Sequence, residues 1–492
     1  MATDDIHDLE VLLRSQVPLI AVQTREEGRA LDMFRRLIPV LGRPLAYWSV
    51  TSGARRVDIR DMPFFDNTSE PTDFLRYVLQ ASQAMVWFVP DFHPWLKDPM
   101  NVRLLKEIAL QHAQTPHTIV LVSHASEYPE ELRKFIGRFS PALPDAEAIR
   151  EIVQEEARQY SNDNNGQRVR ASREAVERLV NNLSGLTAWD VRRLARQIIH
   201  ADGAITDSDL PAVMRAKYEL LDRGGALAFT YDTARFSEVG GMHNLKRWVQ
   251  RRQRAFMDSD SRLDTPRGML LTGVQGGGKS LAAKAVAGLW GLPLLQLDMG
   301  TLYNKYHGES ERNLREALQT ASAMAPCVLW IDEIEKAVGD SGGDSGVSQR
   351  ILGHLLTWLA ENDKPVFVVA TANNIDMLPP ELVRKGRLDE IFFVDLPDSE
   401  VRGEIFAIHL RKRDLNPEDF DLQALAEASD EFSGAEIEQA VVSALYLAHE
   451  QDSDLHTDHI LQELSHTRPL AVVMREPLER LREWARDRTV KA

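Results

Sequence analysis

Short apolar runs rich in β-branched residues alternate with helical patterns in both halves of the chain. The first half contains PLIAV (18–22) and MVWFVPD (85–91), and the second contains GMLLT (268–272), CVLWID (327–332) and VFVVATANN (366–374). Apolar runs of this length are typical of buried strands, and the helical segments between them supply the connections of a parallel sheet. The pattern predicts an α/β fold with a parallel sheet in each half.

The two halves also repeat one another. Matching segments occur in the same order, about 250 residues apart, which is typical of a duplicated domain plan. The matched pairs are PLIAV with GMLLT, MVWFVPD with CVLWID, PEEL (129–132) with PPEL (379–382), LPDAEAIREI (143–152) with LPDSEVRGEI (396–405), and LSGLTAWDV (183–191) with FSGAEIEQA (432–440). The predicted domains are an α/β domain over 1–145, its helical segment over 146–222, a connector over 223–237, a second α/β domain over 238–399 and a second helical segment over 400–492.

Composition narrows the class of protein and its partners. The chain has 492 residues, 43% of them apolar and 27% charged, as expected of a soluble globular protein of more than one domain,. Its formal charge of −16 argues against a nucleic acid as the partner,. Cys327 is the single cysteine, so a disulfide within the chain is excluded and a cytoplasmic location is expected,. No apolar run approaches the ~18 residues of a membrane span, and MATDDIHDLE does not read as a signal peptide,.

A glycine-rich segment in the second half predicts a phosphate site. GVQGGGKS (273–280) fits the pattern G-x-x-x-x-G-K-[ST], between the strand-like GMLLT and the helix-like LAAKAVAGLW,. In such a loop, backbone N–H groups curl around phosphates at a helix N-terminus. Lys279 is expected to reach the β- and γ-phosphates of a nucleotide, and Ser280 to bind Mg²⁺. The alternative is a glycine-rich turn without a ligand.

Polar residues end the next two predicted strands. Asp332 and Glu333 follow CVLWI, and Asn373 follows VFVVATA. After a phosphate loop, a strand-end aspartate such as Asp332 is expected to hold the metal through water, and Glu333 to act as the general base on the attacking water. Asn373 could orient that water, although a plain asparagine turn would look the same in the sequence.

ELVRKGRLDE (381–390) contains two arginines, Arg384 and Arg387, at a spacing that places them on one face of a helical turn,. Two guanidinium groups so placed need an anion. No acidic cluster in the adjoining sequence supplies one, so the segment points to an anion elsewhere, with a local surface salt bridge as the alternative.

The segment from residue 236 to about residue 470 resembles the AAA ATPases. The motifs that carry the resemblance are FSEVGGMHNLKRW, GVQGGGKS, NKYHGESERNLREA, CVLWIDEIEKA, VATANNIDMLPPELVRKGRLDEIFF and FSGAEIEQAVVSA. The resemblance implies a P-loop AAA+ three-layer α/β sandwich with a helical lid, preceded by a degenerate AAA-like α/β module with a lid of its own. It also implies ATP and Mg²⁺ as cofactors, and a ring of copies, six by the habit of the family.

The resemblance assigns roles to individual residues. Arg384 and Arg387 occupy the places of arginines that project into the nucleotide of the neighbouring subunit, where an arginine can raise the rate by ~10³–10⁵-fold. Tyr306 occupies the place of the aromatic that grips a polypeptide in the ring pore, although it could instead pack locally. The nucleotide-contacting set implied by the family is Val239, Gly240 and Gly241 as the adenine-flanking turn, Gly273, Val274, Gln275, Gly276, Gly277, Gly278, Lys279, Ser280, Leu281, His409, Gly434 and Ala435. His409 could instead be a packing histidine without a ligand.

The first half lacks these features. At the corresponding position it reads TREEGRAL (24–31), where one glycine remains, no Lys-Ser pair follows, and Glu26 and Glu27 would repel phosphate. We interpret this half as a non-catalytic module that serves either as an adaptor surface or as a structural platform. Over nearly its whole length the chain is similar to a divergent group of AAA-domain proteins of undefined substrate, encoded by a chloroplast reading frame and by cyanobacteria and other bacteria.

Together these features predict an ATP-hydrolysing ring that remodels or regulates protein partners. A nucleotide-switched scaffold that binds its partner without threading is one alternative. An ATPase associated with nucleic acid is a second, and the net charge opposes it. The departure from the family at LLTWLAEND (355–363) and the loop GDSGGDSG (339–346) weaken the case for processive threading.

Overall fold

The computed structural model describes most of the chain. The described residues are 2–59, 63–124, 127–221, 225–231, 236–257, 263–303, 309–337, 345–374, 378, 380–383 and 386–492. Tyr306 and Arg384, predicted to contact a polypeptide and a neighbouring nucleotide, lie outside the described residues.

The strands are short and separated by helices. They are β1 (Leu19–Gln23), β2 (Leu45–Ser49), β3 (Gly53–Arg56), β4 (Val86–Pro90), β5 (Thr118–Ser123), β6 (Ile136–Phe139), β7 (Arg170–Ala171), β8 (Ala204–Ile205), β9 (Leu227–Thr230), β10 (Gly268–Gly273), β11 (Leu294–Asp298), β12 (Cys327–Asp332), β13 (Val366–Ala372), β14 (Glu390–Val394) and β15 (Val490–Lys491).

The helices connect and cover these strands. They are α1 (Ala2–Arg14), α2 (Glu27–Leu41), α3 (Pro71–Gln80), α4 (Pro99–Gln111), α5 (Glu130–Arg133), α6 (Ala146–Asp163), α7 (Arg173–Leu183), α8 (Ala188–Asp202), α9 (Leu210–Leu221), α10 (His243–Met257), α11 (Lys279–Trp290), α12 (Met299–Tyr303), α13 (Glu309–Met324), α14 (Ser345–Glu361), α15 (Pro380–Val383), α16 (Ser399–Arg411), α17 (Leu422–Ala428), α18 (Gly434–Glu450), α19 (Thr457–His466), α20 (Leu470–Val473) and α21 (Arg475–Arg486). Short 3-10 turns cover His93–Lys97, Asp207–Asp209, Phe236–Glu238, Ile334–Ala337 and Pro417–Asp419.

The two large sheets share one strand order. The first runs β3-β2-β4-β5-β1-β6, and the second runs β15-β14-β10-β13-β12-β11-β9. We match β1, β2, β4, β5 and β6 with β10, β11, β12, β13 and β14. The second order, read from β9 back to β14, is then the same as the first order read from β3 to β6. The neighbours within each matched set are parallel, whereas β3 and β9 pair antiparallel at the edges. The predicted parallel sheet in each half is confirmed.

Apolar side chains on both faces of each sheet build three layers. In β4, Trp87 and Val89 join one buried cluster while Val86 and Phe88 join another. In β12, Leu329 and Ile331 face one cluster while Val328 and Trp330 face the other. Because successive side chains of a strand point to opposite faces, a continuous apolar run requires helices on both sides. The AAA-type three-layer fold predicted from the sequence is confirmed.

The chain forms two compact units, residues 1–169 with 185–203 and residues 170–184 with 204–492. The segment 146–222, predicted as one helical segment, contributes to both. In the first unit α6 packs against α8, whereas in the second unit α9 packs against α7 and α13 and adds Met214 to the core beneath the second sheet. The finer domain boundaries stay predictions.

A separate helical core follows the second sheet. It is formed by α16, α17, α18 and α19, whose buried side chains include Phe406, Leu425 and Val441. Helix α18 begins with a capping box. The Ser433 hydroxyl oxygen accepts the Glu436 N–H at 3.4 Å, and the Glu436 carboxylate accepts the Ser433 N–H at 2.8 Å. This cap fixes the start of the helix that the sequence identified as the lid.

Within the described part of the chain, no helix is long and apolar enough to cross a bilayer.

A buried histidine orders the core of the first unit. His117 is 3% exposed. Its Nδ1 accepts N–H groups from Trp87 Nε1 at 3.3 Å and Met85 at 3.4 Å, and its Nε2–H donates to the Ala81 carbonyl at 3.0 Å. These partners require a neutral imidazole, and burial lowers the pKa of His117 below its ordinary value. The charge-free ring therefore stabilises the folded state.

We predict that the first unit loses stability as the pH falls. Because the pKa of His117 is lower in the folded than in the unfolded chain, its contribution is complete above about pH 6.5 and declines as the pH falls below that value. Hydrogen exchange of β4 and β5, corrected for intrinsic rates, should accelerate in this range. A His117→Gln variant keeps a donor and an acceptor without titrating, and should show a smaller acceleration. An equal acceleration in both proteins would contradict the prediction.

Candidate active site

The glycine-rich loop joins the carboxyl end of β10 to the start of α11. Gly273 ends the strand with φ +141°, and a Cβ added there would lie 2.0 Å from the Val394 carbonyl oxygen. The next residue, Val274, donates its N–H to the same oxygen at 3.0 Å. Only glycine allows the loop to approach β14 this closely. The loop is therefore anchored on a neighbouring strand before it turns into the helix.

Lys279 lies folded over this loop at the first position of α11. It is 6% exposed, and its Nζ donates to the carbonyls of Gly273 at 3.0 Å and Val274 at 2.8 Å. Burial lowers its pKa to about 8, and the nearby carboxylates, Glu335 first among them, oppose that shift. A phosphate would offer the ammonium a stronger charge-assisted partner than these neutral carbonyls.

Asp332 and Glu333, predicted at the end of β12, are both hydrogen-bonded to Thr371. The Asp332 Oδ1 accepts the Thr371 hydroxyl at 2.6 Å, and the same hydroxyl oxygen accepts the Glu333 N–H at 3.1 Å. Glu333 has φ +50°, an uncommon conformation for glutamate that is characteristic of functional sites,. Thr371 thereby fixes the Asp332 carboxylate and the backbone of Glu333 at the same strand end.

Asn373 contacts the predicted base directly. Its Nδ2 donates to Glu333 Oε1 at 3.1 Å, and the other Glu333 oxygen forms an ion pair with Lys336. The two predicted residues, forty positions apart in the chain, are therefore hydrogen-bonded. These two contacts hold the Glu333 carboxylate in one orientation.

A third carboxylate, Glu335, supports this pair and was missed by the sequence reasoning. It is 7% exposed, and its Oε1 accepts the N–H groups of Asn373 at 2.8 Å and Asn374 at 3.3 Å. Its Oε2 is buried and has no hydrogen-bond partner among the described residues. Glu335 thus fixes the backbone that carries the Asn373 amide. In the sequence Glu335 is visible only as one more carboxylate in IDEIEKA, and its spacing from Glu333 does not predict that it contacts Asn373.

A cleft of about 470 Å³ collects most of the predicted residues. Its predicted lining residues are Val239, Gly240, Gln275, Gly276, Gly277, Gly278, Lys279, Ser280, Leu281, Asp332, Glu333, Asn373, His409, Gly434 and Ala435. The lid reaches the loop directly, because the Ala435 N–H donates to the Gly276 carbonyl at 3.2 Å. Cleft residues that the sequence reasoning missed are Glu238, Met242, Thr371, Ile405, Ile408, Lys412 and Glu438.

His409 lies on the wall of the cleft that the lid provides. Its Nδ1 is 3.4 Å from Glu438 Oε1, and its pKa is lowered chiefly by burial, with Glu438 acting in the opposite direction. Because Nδ1 is buried beside Glu438, Nε2 is the ring nitrogen left to contact a ligand,.

Three other predicted residues lie beside the cleft rather than on its lining. Gly241 donates its N–H to Glu404 Oε2 at 3.0 Å. Gly273 and Val274 line a neighbouring cavity of about 350 Å³ that α20 and α21 close on its other side. Their backbone groups shape the loop that the cleft residues continue.

Arg387 lies near the amino ends of the strands of the second sheet, opposite the carboxyl ends that carry the cleft residues. It follows Gly386, whose carbonyl oxygen accepts Arg267 Nη1 at 2.7 Å, and Arg267 immediately precedes β10. The phosphate loop follows the other end of β10, and a strand of that length spans roughly 20 Å. Arg387 donates to the Glu381 carbonyl at 2.5 Å and is not among the residues that line the cleft.

The cleft residues fit Mg²⁺ bound together with a nucleotide. The Ser280 hydroxyl and the Asp332 carboxylate both line the cleft, and hard oxygen donors of this kind suit Mg²⁺,. In the described ranges no group of three or more His, Cys, Asp or Glu side chains could hold a metal by itself.

We predict that affinity for a non-hydrolysable ATP analogue weakens above about pH 8. The free protein loses the Lys279 charge there, so each further pH unit should raise Kd by about tenfold,. A Lys279→Arg variant keeps its charge throughout this range. Its Kd, even if weaker, should therefore be independent of pH between about 7 and 9. Fluorescence titrations at several pH values measure both proteins, and a parental Kd that does not change with pH would contradict the assignment.

Comparison with known proteins adds an independent line of evidence. The family described as ATPase family associated with various cellular activities (AAA) matches residues 269–396, and the AAA+ lid domain matches 419–463. The first half matches the N-terminal domain of SpoVK-like AAA ATPases over 5–140 and their second domain over 147–224. The degenerate first half therefore has AAA-type relatives of its own.

Full-length relatives extend the match over both halves. The chain is 36% identical over 484 residues to "Uncharacterized AAA domain-containing protein ycf46" of Trieres chinensis, covering 97% of this chain and 96% of that protein. The Guillardia theta protein of the same name is 35% identical over 497 residues, 98% and 94% of the two chains. "Cell division cycle protein 48 homolog" of Archaeoglobus fulgidus is 37% identical over 225 residues, 44% of this chain and 30% of that protein. With this coverage, the AAA fold in both halves and the cleft described above, the chain belongs to the AAA ATPase family.

Proposed function

We propose that the protein hydrolyses ATP in a cleft that a second copy completes. The observation that carries the proposal is the meeting of Lys279, Asp332, Glu333 and Asn373 at the carboxyl edge of the second sheet. In this order, they supply an ammonium to bind phosphate, a carboxylate to hold the metal, a general base and an amide that orients the base. That edge is also where ligands bind in open parallel α/β sheets.

In the proposed reaction, Lys279 moves from the loop carbonyls to the β- and γ-phosphates. Glu333 accepts the proton of the attacking water, and the Asn373 amide holds Glu333 in line with that water,. Bound Mg²⁺ would neutralise phosphate charge next to Ser280 and Asp332. The lid residues Gly434 and Ala435 would close over the nucleotide.

The position of Arg387 supports a site shared between copies. Its segment lies at the amino edge of the sheet whose carboxyl edge carries the phosphate loop. An arginine placed there can serve the γ-phosphate bound by an adjacent copy that presents its carboxyl edge. Such a contact joins two different surfaces, and repeated contacts of this kind close into rings. We propose a ring, with six copies as the number implied by the family.

We propose protein partners as the clients of this ring. The charge of −16 opposes a nucleic-acid partner,. The non-catalytic first half offers a surface free of catalytic demands, and Tyr306 remains a predicted polypeptide contact. Turnover in this scheme drives movement of the lid relative to the sheet, which a ring can transmit to a bound protein.

A Glu333→Gln variant tests the hydrolysis step. Loss of the general base should reduce kcat by ~10²–10⁴-fold while ATP remains bound. Because the γ-phosphate then persists, the ring should be more stable in ATP than that of the parent by sedimentation velocity. Glu450→Gln, a matched change at an exposed position at the end of α18, should leave rate and sedimentation unchanged. A Glu333→Gln protein that hydrolyses ATP at the rate of the parent would contradict the assignment of the base.

A further inference from the structure

We propose that Arg267 is a positioning residue that sets the place of Arg387 for the ATP bound by the neighbouring copy. The inference rests on the proposed role of Arg387 in trans, and it adds a residue that no sequence motif identified. Arg267 itself lies at the amino edge of the sheet, away from the cleft of its own copy.

The guanidinium of Arg267 joins the arginine segment to the end of a helix. Its Nη1 donates to the Gly386 carbonyl at 2.7 Å, the Ala360 carbonyl at 3.2 Å and the Leu359 carbonyl at 3.5 Å. Gly386 is the residue directly before Arg387. Leu359 and Ala360 lie in the last turn of α14, whose carbonyls have no partner within the helix and favour a cation.

The backbone around Arg267 holds the other side of the same segment. The N–H groups of Arg267 and Gly268 both donate to Asp389 Oδ2, at 2.7 Å and 3.1 Å, and the Asp389 N–H donates to the Gly268 carbonyl at 2.9 Å. The chain is therefore held on both sides of Arg387. Gly386 is held by the Arg267 side chain, and Asp389 is held by the backbone of Arg267 and Gly268.

The start of β10, to which this segment is hydrogen-bonded, is itself anchored in the sheet. The Val368 N–H donates to the Arg267 carbonyl at 2.9 Å, which ties that residue into the sheet. At Gly268, φ is +158° and an added Cβ would lie 2.2 Å from the Val368 carbonyl oxygen, so the strand is in close contact with β13. The segment cannot shift without breaking its hydrogen bonds to Arg267 and Gly268. The position that Arg387 presents to a neighbour is thus set by Arg267 and Asp389.

The chemistry calls for arginine rather than lysine at residue 267. The planar guanidinium offers several donors in fixed directions, whereas an ammonium is a compact point charge on a flexible stem. Lysine would preserve the charge near the end of α14 but lose the fixed geometry between that helix and Gly386. Arg267→Lys is therefore the informative change.

Mixed assemblies separate the role of Arg267 from the nucleotide site. A Lys279→Ala copy cannot hold the phosphates of ATP yet still presents Arg387. An Arg387→Ala copy binds ATP yet lacks the Arg387 guanidinium. Each protein alone should be nearly inactive, and their mixture should regain ATPase activity wherever a Lys279→Ala copy presents its arginine to an Arg387→Ala copy. A mixture that stays inactive, or an Arg387→Ala protein that is fully active alone, would overturn the proposed role of Arg387 itself.

Arg267→Lys is then placed in one partner at a time. In the Lys279→Ala copy it should lower the regained kcat by about 10- to 100-fold, as expected for a misplaced group, with KM for ATP unchanged because the binding cleft belongs to the other copy. In the Arg387→Ala copy it should have no effect. Asp389→Ala in the Lys279→Ala copy should act like Arg267→Lys.

The remaining outcomes overturn the inference about Arg267 while leaving the role of Arg387 intact. An active mixture that Arg267→Lys does not change in the Lys279→Ala copy shows that the position of Arg387 does not depend on residue 267. A raised KM, or an equal loss when the change is placed in the Arg387→Ala copy, assigns Arg267 to the fold or to nucleotide binding. Loss of the variant from the mixed assembly, measured by mass photometry, assigns it to association.

Discussion

The direction of β10 is the constraint on which the rest of the site depends. A parallel sheet gathers the carboxyl ends of its strands at one edge, so the phosphate loop after β10, the carboxylates after β12 and the amide after β13 meet there. The arginine segment precedes β14, which runs in the same direction, and therefore lies at the other edge. One copy of the chain therefore holds the cleft and the arginine segment apart, which is why we propose that a second copy combines them.

Hydrogen bonds between the strand ends order the catalytic edge. Thr371 contacts Asp332 and Glu333, while Asn373 contacts Glu333 and has its backbone held by Glu335. The charges are thus fixed by neighbours on adjacent strands, as preorganised electrostatic catalysis requires. The first unit keeps the strand order but carries Glu26 and Glu27 where the second has its glycine-rich loop, so the same fold is built without that loop.

The sequence allowed prediction of features whose geometry is local. The glycine-rich loop, the strand-end carboxylates and the apolar strands all depend on residues near one another in the chain, and the structure brings the predicted residues of the loop, Glu333 and Asn373 into one cleft. Glu335 and Arg267 could not be predicted, because their partners Asn373 and Gly386 lie far away in the sequence and become neighbours only through strand pairing. The sequence also did not predict that 146–222 contributes to both units. That division depends on the packing of α9 against α13, which is distant in the sequence.

We propose that one copy cannot complete its own active site. The direct measurement is the ATPase rate per copy over a range of protein concentrations, with the assembled fraction measured in the same samples by mass photometry. The account predicts that the rate per copy rises with the assembled fraction and reaches a plateau when assembly is complete. A rate per copy that stays constant under dilution to single copies would contradict it.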